Sequence, residues 1–197
     1  RADLEKYHED LIVCSACIAG EVPAKILKGD IAGAREACEW YHNLFGDDYY
    51  LELQRHKVPD DPSLLANREA YELQQKANKV LIEFAREYGI KLVCTNDCHF
   101  EDKETAEAHD HLLCIATGKD LDDPNRMRYS KQEWFKTREE MNEVFVDVPE
   151  ALSNTLEVLD KVEIYSIDHG PIMPFFPIPE SFGTEEQLRQ KVSEEDL

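Results

Sequence analysis

Between residues 11 and 118, short apolar runs alternate with stretches of helical periodicity. Leu11-Ile12-Val13-Cys14 is a continuous apolar run, the pattern of a strand covered on both faces in a parallel sheet. Ser15 to Glu21 is small and glycine-containing and reads as a loop. Asp30 then stands as an N-cap, with Ile31, Ala34, Cys38, Tyr41 and Phe45 at helical spacing and Gly46 as the stop. Tyr49 to Gln54 alternates and is rich in aromatic and aliphatic residues, a second strand; Pro59 and Pro62 fall in the loop after it. A long helix follows with Leu73, Ala77, Val80, Leu81, Phe84 and Tyr88 on one face and Gly89 behind it. Lys91 to Thr95 is a third short strand, Asn96 to Phe100 a loop, and Ala108, Leu112, Ile115 and Ala116 line one face of a helix closed by Gly118.

Strand and helix alternate three times, which predicts an α/β fold with parallel strands. A closed barrel needs more units than these residues contain. The missing ones are expected before Arg1, and an opening Arg rather than Met fits a piece of a longer chain. Beyond Gly118 the pattern changes. Asp122 to Asn125 is a turn and Tyr129 to Lys136 is expected to be extended. Thr137 and Glu140 form a capping-box pair for a helix through Phe145. Pro149 sits at the first position of another helix, with Leu152, Leu156 and Leu159 on one face. From Val162 to Pro179 four prolines forbid regular helix, and Thr184 caps a last helix.

Composition narrows the function classes. A hydrophobic fraction of 42% supports a folded core. The formal charge of −20, from 22 Lys and Arg against 42 Asp and Glu, works against a free-standing nucleic-acid binder or an anionic-membrane binder. No apolar run approaches the ~20 residues of a membrane span, and no signal peptide opens the chain. Cys14, Cys38 and Cys94 lie in apolar or helical patterns, as buried thiols do. The context reads as cytosolic and reducing, where clustered Cys and His suggest metal before disulfide.

The tetrapeptide Asn96-Asp97-Cys98-His99 carries the most chemistry. It directly follows a strand, where α/β folds build their sites. On an extended backbone Asp97 and His99 point the same way, a carboxylate and an imidazole suited to Zn²⁺, Mn²⁺ or Fe²⁺. A plain surface turn is the alternative. Cys17, in the equivalent loop after the first strand, is a third donor or simply a small thiol. An all-cysteine site from Cys14, Cys17, Cys94 and Cys98 is less suited, because the gap between the pairs exceeds zinc-ribbon spacing. Glu52 supports a site or pairs with Arg55, and His56 is a further candidate. His109 and His111, two apart on a helix, face different ways. Arg126 and Arg128 read as a salt-bridged surface pair, and His169 has no assigned role.

Several blocks resemble a known family. They are Leu11 to Glu21, Tyr50 to His56, Thr95 to Phe100, Ala106 to Asp110, Thr117 to Lys119, Glu139 to Phe145, Pro149 to Leu152, and Asn154-Thr155. In order, they resemble the N-terminal PHP (polymerase and histidinol phosphatase) domain of the bacterial replicative DNA polymerase III alpha-subunit family. Met173 to Pro177 resembles that family's passage into the palm. The resemblance implies a partial (β/α) barrel of PHP type, the second half of a seven-stranded barrel, followed by helices and a Pro-rich arm. It implies a PHP portion over residues 1–163, then a linker and the start of the palm region over 164–197. It implies that Cys17, Asp97 and His99 are metal ligands for Zn²⁺ or Mn²⁺, with the other ligands before Arg1. The palm aspartates and their Mg²⁺ would lie further on, so no polymerase catalytic residue is expected here.

The implied parent is a DNA-directed DNA polymerase of the cytoplasm. Its PHP region is a metal-dependent 3′–5′ exonuclease in some relatives and a scaffold for the proofreading exonuclease subunit in others. The implied partners are the rest of the alpha subunit, that proofreading subunit, and DNA and dNTPs through other domains. A free-standing metal-dependent phosphoesterase of the same superfamily is the alternative. The Pro-rich arm and the last helix weigh against it.

Overall fold

The computed structural model describes residues 1–59, 68–175, 177, 181 and 183–190. The expectations for Pro62, Phe176, Pro179 and the end of the last helix lie outside them. The chain divides into two compact units, Arg1–Val162 and Glu163–Leu197.

The first unit is built on three parallel strands in the order β1-β2-β3: β1 (Val13–Cys14), β2 (Tyr49–Gln54) and β3 (Lys91–Thr95). Val13 pairs with Tyr49, and Tyr50 to Gln54 run in register with Lys91 to Thr95. β2 is the central strand, and packed side chains, among them those of the helices in the core, bury both of its faces: Tyr50, Leu51 and Leu53 are fully buried and Tyr49 nearly so. Its apparent alternation therefore does not separate a wet face from a dry one. β1 is shorter than the run Leu11 to Cys14 predicts. It is an edge strand, and both Leu11 and Cys14 are exposed. Beyond it, the Ser15 N–H still donates to the Tyr50 carbonyl (2.9 Å), and the Ser15 hydroxyl accepts from the Glu52 N–H (2.8 Å).

Helix α1 (Ala2–Lys6) precedes β1, and α2 (Glu21–Leu27) and α3 (Ile31–Phe45) connect it to β2. The sequence pattern misses α2. Its start depends on Gly20, where a Cβ would come within 2.1 Å of the Ser15 carbonyl oxygen. Asp30 caps α3 by accepting from the Gly33 N–H at 2.9 Å. Helix α4 (Glu69–Tyr88) links β2 to β3 and stops at Gly89, which is left-handed with φ 70°. Ala77, Leu81, Phe84 and Ala85 of α4 join Cys38, Leu51, Leu53 and Cys94 in one core.

Helices α5 (Ala106–Thr117), α6 (Arg138–Val144) and α7 (Pro149–Lys161) complete the first unit. Thr137 and Glu140 form the expected capping box of α6. Two helix faces differ from the predicted ones. In α5 the buried residues are Ala106, Asp110 and Cys114, whereas Ala108, Leu112, Ile115 and Ala116 face solvent. In α7 Ala151 is buried while Leu156 and Leu159 are exposed. Helix α7 runs beside β3, and the Asn154 side-chain amide donates to the Leu92 carbonyl at 2.8 Å.

In the second unit residues 163–175 form neither helix nor strand, and Ile164, Ile167, Met173 and Phe175 are exposed. Helix α8 (Glu185–Arg189) is capped at Thr184, whose hydroxyl accepts from the Gln187 N–H at 3.3 Å.

Candidate functional site

Parallel strands bring the loops after β1, β2 and β3 to one end of the sheet. Cys17, His56, Asp97 and His99 all lie in these loops. The loop after β3 is not extended as the sequence reading requires: Asp97 sits in the left-handed region at φ 47°. The loop is held from outside by residues 132–135. The Asn96 amide donates to the carbonyls of Gln132 (2.9 Å) and Trp134 (2.7 Å), and the His99 N–H donates to the Glu133 carbonyl (2.8 Å). Phe100 pairs with Trp134 in a parallel bridge.

His99 is engaged at both ring nitrogens. Nδ1 lies 2.6 Å from the Asp97 carbonyl oxygen and Nε2 lies 3.0 Å from the Tyr129 hydroxyl. With Nδ1–H donating to the carbonyl, Nε2 accepts from Tyr129. The Asp97 carboxylate stands 3.9 Å from Nδ1. His109 on α5 packs its ring against His99, Phe100 and Tyr129 at 5.2–5.7 Å between centroids. His111 turns away to the Glu107 carbonyl (2.7 Å).

Below this loop lies a buried polar centre that the sequence reading largely missed. His56 is 3% exposed. Its N–H donates to the Gln74 side-chain oxygen (2.8 Å), its Nδ1 accepts from the Gln74 amide (2.9 Å), and its Nε2–H donates to the Asn96 carbonyl (3.1 Å). Those partners fix a neutral ring. Burial holds its pKa below the usual histidine value, against the opposing pull of Glu133. The Glu133 carboxylate, 2% exposed, lies 3.5 Å from Nδ1. It accepts from the Ser130 N–H (3.1 Å), the Ser130 hydroxyl (2.6 Å) and the Gln132 N–H (2.8 Å). Lys136 lies over the Trp134 ring, and burial pushes its amine down to about 8. The spacing Ser130-x-x-Glu133 is a capping-box signature with no helix behind it, and it was the available clue to this centre.

Glu52 does not pair with Arg55. Its carboxylate accepts from Thr95 and Gln54, while Arg55 reaches Asp147 and the Val144 carbonyl. Cys17 and Glu52 share the wall of a cavity of about 10 Å³, room for a water at most. Arg126 is not a surface residue: it forms a bidentate pair with Asp110 (2.6 and 2.7 Å), each side chain 8% exposed. Arg128 bonds backbone carbonyls of Asp123 and Pro124.

Among the described residues no group of three or more His, Cys, Asp or Glu side chains is placed to hold a metal ion. Asp97 and His99 are neighbours, but Cys17 does not complete a set with them, and the His99 nitrogens already have partners. Asp97 and His99 stand as a pair of donors, short of the three that a metal site needs. All six cysteines are free. Cys38, Cys94 and Cys114 are buried, whereas Cys14, expected inside, is exposed.

The model of the PHP domain matches residues 1–56. DNA polymerase III alpha subunits are similar along most of the chain. That of Borreliella burgdorferi is 40% identical over 92% of the chain, that of Campylobacter jejuni 36% over 94%, and that of Thermus aquaticus 34% over 96%. The chain spans about 15% of the length of each. The residue blocks that carry the resemblance and this similarity agree: the chain matches the PHP region of the DNA polymerase III alpha-subunit family.

Proposed function

We propose that these residues serve as a structural part of a DNA-directed DNA polymerase, a PHP region that braces the catalytic chain and offers a surface to the proofreading exonuclease subunit. The similarity to alpha subunits along more than nine-tenths of the chain carries this reading. In it the three strands are part of a (β/α) barrel whose remaining strands flank β1, residues 164–197 lead towards the palm, and the parent works in the cytoplasm. DNA, dNTPs and Mg²⁺ are engaged by other domains, which accords with the charge of −20 here. The polar residues at the end of the sheet support a bracing role, because His56, Asn96 and Glu133 bond one another's loops.

The test is primer extension by the parent chain with dNTPs and Mg²⁺. Extension that survives Cys17→Ala and His99→Ala supports the structural reading, and a parent that never extends a primer overturns it. Metal binding by Cys17, Asp97 and His99 is a second reading. It is favoured by the meeting of their loops at one end of the sheet. Zn²⁺ or Mn²⁺ that raises the melting temperature of the wild type, but not of His99→Ala, would establish it, and 3′-end degradation of DNA lost in the same variant would add the exonuclease. An identical melting curve with and without metal rules it out.

A further inference from the structure

Helix α5 is apolar on two faces. Ala106 and Cys114 pack inward, and Leu113 is half-buried. The opposite stripe of Ala108, Leu112, Ile115 and Ala116 lies in water, with Leu112 60% and Ile115 77% exposed. Contiguous exposed apolar surface marks an interaction site. The surroundings of the stripe limit what covers it. Residues 101–123 hold eight Asp and Glu against two Lys. Asp110 is neutralised inside by Arg126, and Lys119 is paired with Asp123 at 2.9 Å. Glu107 is paired with Lys131 at 2.5 Å, which leaves Glu101, Asp102, Glu104, Asp120 and Asp122 at the surface.

We infer that the outer face of α5 docks a basic amphipathic helix of a partner protein. Its apolar side chains lie over Leu112 and Ile115, and its Lys or Arg residues meet the acidic rim. This is the helix-on-helix mode in which spaced apolar anchors give affinity and the charged rim gives orientation. A second copy of this chain is a poor occupant, because it would set one acidic rim against another in a molecule of charge −20. The inference stands apart from the polymerase reading, since it uses only α5 and its flanks.

Calorimetric titration of the 197-residue chain with a synthetic Leu/Lys amphipathic helix tests it, with a Leu/Glu helix of equal length as control. The Leu/Lys helix is expected to bind and the Leu/Glu helix not to. The double variant L112S/I115S should weaken binding about tenfold or more. Its melting temperature should stay unchanged, because both side chains are already in water. E104K, on the rim, should weaken binding and reduce its salt dependence, whereas E139K on α6 makes the same charge change elsewhere and should leave it alone. Binding at full strength in L112S/I115S, equal binding of the two peptides, or equal loss in E104K and E139K would each overturn the proposal. So would a dimer in light scattering that L112S/I115S dissolves.

Discussion

Around β2 the chain is filled with apolar side chains: Leu51 and Leu53 are fully buried, and Leu81 and Phe84 of α4 are 1% exposed against them. Between Asn96 and Glu133, at the end of the same sheet, the interior is polar. It holds His56, Gln74, Asn96, Asp110, Ser130 and Glu133, all under 9% exposed. Apolar burial is non-directional and scales with area, so the first region is fixed by how much it hides. Polar burial is costly wherever a group lacks a partner, and here the side chains are mostly paired, the Asn96 side-chain oxygen excepted, so the second is fixed by geometry. The first region therefore fails by degrees when side chains shrink, and the second fails one partner at a time. That contrast suits a rigid base carrying a loop end whose shape must be specific.

The largest loss is expected in the base. Phe84→Ala removes a ring that is 1% exposed and covered on its outer side by Arg35, 4.8 Å from the ring centroid. It should cost about 3–5 kcal/mol, read as a lower urea midpoint with unchanged slope. A loss under about 1 kcal/mol would mean that α4 is not seated on the sheet. Next comes Arg126→Ala, which strands the buried Asp110 carboxylate without its partner. It should cost about 2–3 kcal/mol, and the double change with Asp110→Ala should recover part of it. No recovery would show that the pair does not act as a pair and would weaken the contrast.

The difference between the regions also explains what the sequence disclosed. Strands β2 and β3 and the α4 face are legible because apolar side chains are their own signal. The α5 face is inverted for the same reason. Periodicity weighs Leu112 and Ile115 as core and Asp110 as surface, yet Arg126, sixteen residues on, neutralises Asp110 and lets it turn inward. Helix α2 escapes notice because its start is set by the close approach of Gly20 to Ser15, a contact without hydrophobic pattern. For the loop end, residue types single out His56, Asp97 and His99, which lie in the loops at one end of the sheet. The partners Gln74, Ser130 and Glu133 come from remote segments, and only their folding together shows that His56 is held neutral within a hydrogen-bond network.

A smaller effect tests the border between the regions. Asn154→Ala leaves the Leu92 carbonyl on the outer edge of β3 without its 2.8 Å donor. It should cost about 1 kcal/mol, measured by denaturant melting. It should also speed hydrogen exchange in β3 before β2, since β2 has strands on both sides. Equal exchange in both strands would show that α7 does not guard that edge.

The smallest effect is a matter of pH, and its sign follows from burial. His56 is held neutral below its ordinary pKa, mainly by desolvation. Glu133, the Asn96 carbonyl and Asp97 favour the charged ring, and Lys136 opposes it. In the unfolded chain the same ring protonates near pH 6.5. As pH falls through that value the unfolded state binds a proton that the folded state refuses, so stability falls. Asp110 works in a lower window. Arg126 holds its carboxyl below the usual range, so its contribution is lost only as pH drops beneath about 4. Stability measured between pH 7.5 and 5 should therefore decline by an amount on the order of 1 kcal/mol. His56→Gln should flatten that part of the curve and leave the acid limb in place. A wild-type curve already flat from pH 7.5 to 5 would mean that Glu133 stabilises the charged ring as fully as burial disfavours it, and that the loop end is held by an ion pair rather than by a neutral network.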